Sequence, residues 1–223
     1  MVIIKPVFQF WNTGFFYLKI CDIKTPGNSA LIVFIKNAEK GKVKTRLANT
    51  VGDDRALKIY QALLDHTGRI AQSVDADRFL FYNDFIEKND GWPAVHFHKL
   101  LQRGSDLGDR MKNAFRIIFQ THKKVVIIGS DCPLLTDKII NEAFEKLDEY
   151  AFVIGPATDG GYYLLGMNQF SSAVFENIEW STSKVLAKTI KNIEDLGKSY
   201  HLLSELSDID TEEDWKKFGW ELD

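Results

Sequence analysis

Cysteine is scarce: Cys21 and Cys132 are the only two in 223 residues. That excludes a disulfide framework and fits a reducing compartment, so a cytoplasmic location is expected. Cys132, between Asp131 and Pro133 at the end of an apolar run, reads as a small buried thiol rather than a nucleophile. A dominant charge is lacking too. Lys and Arg total 28 against 31 Asp and Glu, a formal net charge of −3. No global field gathers nucleic acid, and any anion site has to be built locally. Long hydrophobic runs are absent. Residues 1–21 are apolar and aromatic but are broken by Lys5, Pro6, Gln9, Asn12 and Lys19. They are too interrupted for a membrane span and lack the layout of a secretory signal. An extra edge strand or hairpin and a translated leader both stay open for them. No repeat or low-complexity linker divides the remainder. A chain of this length, 45% hydrophobic and 26% charged, buries a substantial core. We expect an N-terminal extension over 1–29 and one domain over 30–223.

What is present is an alternation of strand and helix patterns. Leu31 to Ile35 is a continuous apolar, β-branched run, as in a central strand buried on both faces. Apolar residues from Asp53 to Val74 recur at three- and four-residue spacing and predict a helix. Short strands are expected at Arg78–Tyr82 and Ala94–His98, then a helix over Asp106–Phe119 and a buried strand over Lys124–Gly129. Thr136 caps a helix to about Leu147, strands follow at Ala151–Gly155 and Tyr162–Met167, Thr182–Leu196 is helical, and Thr211 caps a last short helix. The order implies a largely parallel sheet with helices on both faces. Ligands of such sheets sit beyond the carboxyl ends of the strands, near a switch in strand order.

The segment after the first strand carries five basic residues in eleven positions: Lys36, Lys40, Lys42, Lys44 and Arg46, with Gly41 among them. Backbone N–H groups of a glycine-bearing loop, a lysine point charge and an arginine fork form a phosphate-binding set. A solvated lysine-rich loop is the bland alternative. The spacing matches neither a P-loop nor a dinucleotide fingerprint.

Aspartates stand where strands end. Asp131 follows the 124–129 strand, where a carboxylate needs a partner, and a divalent metal or a turn cap serves equally well. Asp159-Gly160-Gly161 separates two strands as a tight-turn signal; its glycines also allow close ligand approach, with Asp159 facing the substrate. Asp208 and Asp210 are two residues apart and share a face if extended, while Thr211 with Asp214 reads as a capping box. An acidic, solvated helix start is the competing view of the pair. Gln102 and Asp106, around a glycine turn, suit a base or ribose, or else an ordinary helix cap. His96 and His98 share one face of the expected edge strand and are set aside as metal ligands. Trp180 stacks on a sugar or base, or packs in the core.

Together these segments, Gly41-Lys42-Val43-Lys44-Thr45-Arg46-Leu47, Gln102 with Asp106-Leu107-Gly108, Gly129-Ser130-Asp131-Cys132, Gly155-Pro156-Ala157 with Asp159-Gly160-Gly161-Tyr162-Tyr163, Trp180-Ser181-Thr182 and Asp208-Ile209-Asp210-Thr211, resemble the bacterial DUF2064 family. The likeness runs from about Ala30 to Phe218, with Ser105 where glycine is expected. That family is grouped with GT-A nucleotide-diphospho-sugar transferases, and some members are labelled arsenosugar-biosynthesis glycosyltransferases. Phospholactate-type guanylyltransferases are more distantly similar. The resemblance implies a GT-A, Rossmann-like three-layer α/β sandwich with a mostly parallel mixed sheet. It implies a metal-dependent transferase using a nucleotide-sugar and a small-molecule acceptor, with Mg²⁺ or Mn²⁺ held by Asp131 and Asp210. Lys36, Gly41, Lys44, Arg46, Gln102 and Asp106 would bind the nucleotide and its phosphates. Asp159, with Asp131, would be catalytic, and Gly160, Gly161 and Trp180 would face sugar or acceptor. A nucleotidyltransferase taking a nucleoside triphosphate is the alternative, and a non-catalytic nucleotide-binding module a second.

Overall fold

The computed structural model describes residues 28–222. The readings made above for residues 1–27 lie outside them. Seven strands and six helices are found among the described residues. β1 (Ser29–Ile35), β2 (Asp77–Tyr82), β3 (His98–Leu101), β4 (Lys124–Ile128), β5 (Phe152–Pro156), β6 (Tyr162–Met167) and β7 (Tyr200–Leu202) form one sheet in the order β3-β2-β1-β4-β6-β5-β7. β6 runs antiparallel to β4 and β5, and every other pairing is parallel. The helices are α1 (Thr45–Val51), α2 (Asp53–Gln72), α3 (Leu107–Ile118), α4 (Asp137–Lys146), α5 (Val185–Asp195) and α6 (Glu212–Phe218). Along the chain the order is β1 α1 α2 β2 β3 α3 β4 α4 β5 β6 α5 β7 α6.

The period of two decides which helix layer each strand residue meets. On β1, Leu31, Val33 and Ile35 pack with Tyr60 and Leu64 of α2 and Ile140 and Phe144 of α4. Ala30 and Ile32 face the other way, toward Met111, Phe115 and Ile118 of α3 and Ile193 of α5. β4 splits likewise, Val126 and Ile128 against Val125 and Ile127. This is the three-layer, mostly parallel mixed sheet expected. A third cluster sits at the carboxyl edge, where Leu47 of α1, Ile59 and Leu63 of α2, Ile209 and Trp215 of α6 close over one another.

Three expectations need correction. The strand placed at Ala94–His98 lies at His98–Leu101. Residues 94–96 form a turn in which Phe97 packs edge-on against Trp92 and the His96 carbonyl accepts from Arg78 Nε at 3.2 Å. His96 and His98 therefore share no strand face. The lysine-rich segment closes into α1 from Thr45, a helix too short to announce itself by periodicity. The helix expected from Thr182 begins at Val185.

β2 and β4 lie on either side of β1, so the strand order turns at β1. Crevices of this kind open where neighbouring connections leave on opposite faces. The cleft described next lies there.

Candidate active site

A cleft of about 690 Å³ opens at the carboxyl edge of β1 and β4. Among its walls are Lys36, Lys42, Lys44, Arg46, Gln102, Asp131, Asp159, Gly161, Trp180, Asp208 and Asp210. Three sequence-flagged positions, Gly41, Asp106 and Gly160, do not line it.

Lys44 stands at the N-terminus of α1 with φ 47° and ψ 45°, a left-handed conformation that a lysine adopts only at a cost. Its side chain is 7% exposed, and its ammonium lies 2.9 Å from Asp131 Oδ2 and 3.6 Å from Asp210 Oδ1. Arg46 reaches Asp210 Oδ2 at 3.2 Å from the open side of the cleft. Asp131 lies three residues beyond the end of β4, and its backbone carbonyl accepts from Ile209 N at 2.9 Å. Ile209 is fully buried in the edge cluster. Its neighbours on either side alternate away from it, so Asp208 and Asp210 both face the cleft. The box between Thr211 and Asp214 fixes the far end: Asp214 Oδ2 accepts from Thr211 N at 2.7 Å and from Asp210 N at 3.1 Å.

Three carboxyl groups around one buried ammonium set the electrostatics. Burial, then the Asp131 charge, pushes the Asp208 carboxyl up to about 8. Its Oδ1 is buried and has no hydrogen-bond partner among the described residues. Burial works the same way on Asp131, but the charge and hydrogen bond of Lys44 outweigh it and hold that carboxyl below its ordinary value. Lys44 answers in kind: burial opposes its charge, and Asp131 more than offsets this and raises it. Cys132 is buried, with its thiol pushed up to about 12 by burial, then the Asp208 charge, which suits the inert thiol expected.

The remaining predicted residues have visible duties. Asp159 closes its own turn, Oδ1 accepting from Gly161 N at 2.8 Å. Gly160, at φ 88°, passes so close to Ser183 that a Cβ would run into the Ser183 carbonyl. The Trp180 ring lies on Gly108 of α3 and is partly buried in the α3 and α5 layer. Gln102 Nε2 donates to the carbonyls of Ile35 and Phe81, each at 3.0 Å, tying together the ends of β1 and β2. Asp106 caps α3 by accepting from Asp109 N at 2.8 Å, and Ser105 donates to Asp109 Oδ2 at 2.6 Å.

Two supports went unread in the sequence. The buried Tyr60 hydroxyl accepts from Lys36 N at 2.9 Å, donates to Lys36 O at 3.1 Å and lies 3.4 Å from Ser130 Oγ. It pins the loops after β1 and β4 to each other. Asn37, 5% exposed, accepts from Asp84 N and Phe85 N and donates to Phe85 O, so the loop after β2 is latched as well. A polar residue at the end of an apolar run was the available signal for Asn37. Tyr60 read only as one more residue on the buried face of α2.

Hard carboxylate oxygens are the donors that Mg²⁺ and Mn²⁺ prefer, and Mg²⁺ needs only one or two from the protein when phosphates complete its shell. Asp131, Asp208 and Asp210 fit that chemistry, and the partnerless oxygen of Asp208 is a vacant donor among them. Among the described residues no three His, Cys, Asp or Glu form a ready-made cage, and the Lys44 ammonium contacts both Asp131 and Asp210.

Fold and site define the chain as a GT-A-like nucleotide-diphospho-sugar transferase fold. A structure from Desulfovibrio desulfuricans G20, provisionally named a nucleotide-diphospho-sugar transferase, is 32% identical with a TM-score of 0.76, over 82% of this chain and 83% of that one. Residues 64–182 match the model of DUF2064, described as an uncharacterized protein conserved in bacteria. The chain belongs to the DUF2064 family. More distant structures share the fold. The inositol-1-phosphate CTP transferase of T. maritima is 14% identical with a TM-score of 0.55, over 85% of this chain and 92% of its own. Rv0371c of Mycobacterium tuberculosis H37Rv, as a manganese complex, is 11% identical with a TM-score of 0.53, over 87% and 98%. No curated protein matches the sequence. Among the described residues no helix is long and apolar enough to cross a membrane.

Proposed function

We propose that residues 30–223 form one catalytic domain, a metal-dependent glycosyltransferase that takes a nucleotide-diphosphate-sugar and a small-molecule acceptor. The observation that carries this reading is the meeting of Lys44, Asp131 and Asp210 within 3.6 Å, beside a partnerless Asp208 oxygen. Mg²⁺ or Mn²⁺, held by Asp131 and Asp210 with Asp208 beside them, would supply charge neutralisation on the diphosphate. Lys44 and Arg46 add positive charge where the leaving nucleoside diphosphate develops its own. Lys36 and Lys42 extend the basic wall. Asp159 has its Oδ1 committed to the turn, which leaves Oδ2 to orient or deprotonate an acceptor hydroxyl. Gly161 and Trp180 line the same cleft and would face the sugar and acceptor.

A second reading has a specific observation behind it. Four cations, Lys36, Lys42, Lys44 and Arg46, line the cleft, enough to hold a triphosphate. The domain would then transfer a nucleotidyl group and release pyrophosphate; the T. maritima neighbour that shares the fold is named a CTP transferase. Product analysis separates the two: nucleoside diphosphate for the first, pyrophosphate for the second.

The shared core of both readings is tested by Asp131→Asn. A thermal-shift panel of nucleotides and nucleotide-sugars, with and without Mn²⁺, identifies the ligand, since one that binds only the folded state raises its stability by mass action. Calorimetry with that ligand and Mn²⁺ should then show at least a hundredfold weaker binding to Asp131→Asn, in a chain that still folds. Unchanged affinity would refute the metal assignment.

A further inference from the structure

Lys44 holds a position that the metal reading gives to something else. Its ammonium sits between Asp131 Oδ2 and Asp210 Oδ1, at 2.9 and 3.6 Å. Cation and divalent metal compete for the same oxygens, so both cannot be served at once. Yet the lysine is poorly matched to the whole pocket. It makes one close contact, a second at 3.6 Å and none to Asp208, whose Oδ1 stays partnerless. Two cations, the enclosed Lys44 ammonium and the exposed Arg46 guanidinium at 3.2 Å from Asp210 Oδ2, face three carboxyl groups, and only Lys44 reaches Asp131. The carboxylates of Asp131 and Asp210 are 42% and 44% exposed, so their free sides are open to the cleft. The lysine backbone is held in the left-handed region, and strain of this kind is retained chiefly where function uses it. A lysine side chain is long, flexible and strongly hydrated, which suits it to move between partners.

We propose that Lys44 is an exchangeable stand-in cation that couples metal entry to diphosphate binding: a divalent ion displaces its ammonium from Asp131 and Asp210, and the released ammonium binds the diphosphate. The inference rests on the metal reading above and deepens it. Its consequence is thermodynamic. A metal arriving alone must break an ion pair and leave a lysine unpaired inside the cleft, so it binds weakly. A diphosphate arriving alone finds Lys44 already engaged. Together they satisfy all the charges, and each tightens the other by the same factor. Bare metal is thereby kept from occupying the site without substrate.

Binding of Mn²⁺ and inorganic pyrophosphate to the full chain, followed by calorimetry and by the EPR signal of free Mn²⁺, tests the exchange without turnover. Wild type should bind Mn²⁺ alone weakly, and pyrophosphate should tighten it at least tenfold. Lys44→Met should bind Mn²⁺ alone at least tenfold tighter than wild type, and pyrophosphate, measured against its own solution complex with Mn²⁺, should tighten it by a smaller factor than in wild type. Lys44→Arg keeps the charge and should keep Mn²⁺ alone weak. Reductive methylation read by mass spectrometry, in the wild-type chain, removes dependence on any variant's folding. Lys44 should be protected in the apo protein, labelled faster with Mn²⁺, and protected again when pyrophosphate is added. If Mn²⁺ leaves Lys44 labelling unchanged, or Lys44→Met binds Mn²⁺ no tighter, the exchange is overturned, while Mn²⁺-dependent pyrophosphate binding in wild type keeps the metal reading standing. If wild type shows no Mn²⁺-dependent binding at all, the metal reading fails, and the exchange with it.

Discussion

Lys99 and Lys44 each donate to an aspartate, at 2.6 Å to Asp90 and at 2.9 Å to Asp131. Both are nearly enclosed, with side chains 11% and 7% exposed. Around Lys99 the accounting closes. It also donates to the Glu87 carbonyl at 3.0 Å, and Asp90 accepts from Trp92 N at 3.0 Å and from the Tyr82 hydroxyl. Burial and the Asp90 bond keep that phenol protonated, its titration pushed far above the ordinary range. Around Lys44 it does not close: Asp210 is at 3.6 Å and an Asp208 oxygen is left over. A lysine and an aspartate in contact thus carry no functional meaning by themselves. The unfilled demand around one of the two pairs marks it out.

The sharpest way to break this contrast is Lys99→Met. Removing one partner of an enclosed pair leaves the other charge without its counter-ion, which costs about 3 kcal/mol. Urea denaturation should show a loss of that size, with Mn²⁺-dependent nucleotide affinity within about twofold of wild type, because Lys99 does not line the cleft. A loss below about 1 kcal/mol would mean that the pair is no more structural than Lys44's.

The same distinction sorts what could be read from sequence. Strands β1 and β4 were legible because apolar runs buried on both faces need no partner to identify them. Asp131, Asp159 and Asp210 were legible because topology alone carries strand ends to one edge. β3 was not: Val95, His96 and Phe97 imitate a strand, and the packing of Phe97 on Trp92 with the Arg78 bond to the His96 carbonyl makes a turn of them. α1 was missed because its buried Leu47 meets Ile209 and Trp215, far away in sequence. Gln102 and Asp106 also hydrogen-bond to backbone, partners that single-sequence patterns do not reveal. Asp208 was noticed beside Asp210 but given no role, since only the fold shows that its oxygen is buried and unmatched.

The Asp208 carboxyl titrates at about 8 in the folded chain against an ordinary value of 3.8. Between those values the folded state holds a proton that the unfolded state has released, so stability falls as pH rises across that window. Asp131, held below its ordinary value by Lys44, contributes the opposite slope, present at neutral pH and lost as acid titrates it. Without divalent metal, wild type should lose stability in urea between pH 6 and pH 8.5. Asp208→Asn should flatten that loss, and Mn²⁺ should oppose it in wild type alone. Equal slopes in the two chains would show that Asp208 is matched in solution by a partner of its own.

Asp214 provides the smallest effect and the closest control, since it sits one helical turn beyond Asp210 and is acidic, partly enclosed and near the cleft. Against the opposing pull of burial, hydrogen bonds from Thr211 and Asp210 hold its carboxyl below the usual value. Its Oδ2 takes Thr211 N, Thr211 Oγ1 and Asp210 N at 2.7, 2.8 and 3.1 Å, so its demand is met by the cap. Asp214→Ala should cost about 1 kcal/mol, the usual worth of a helix cap. Because Asp210 keeps its side chain and Ile209 keeps its bond to the Asp131 carbonyl, metal-dependent nucleotide binding should weaken by less than tenfold. A loss as deep as that of Asp131→Asn would mean that proximity to the cleft, rather than unmet charge, is what makes an aspartate here functional.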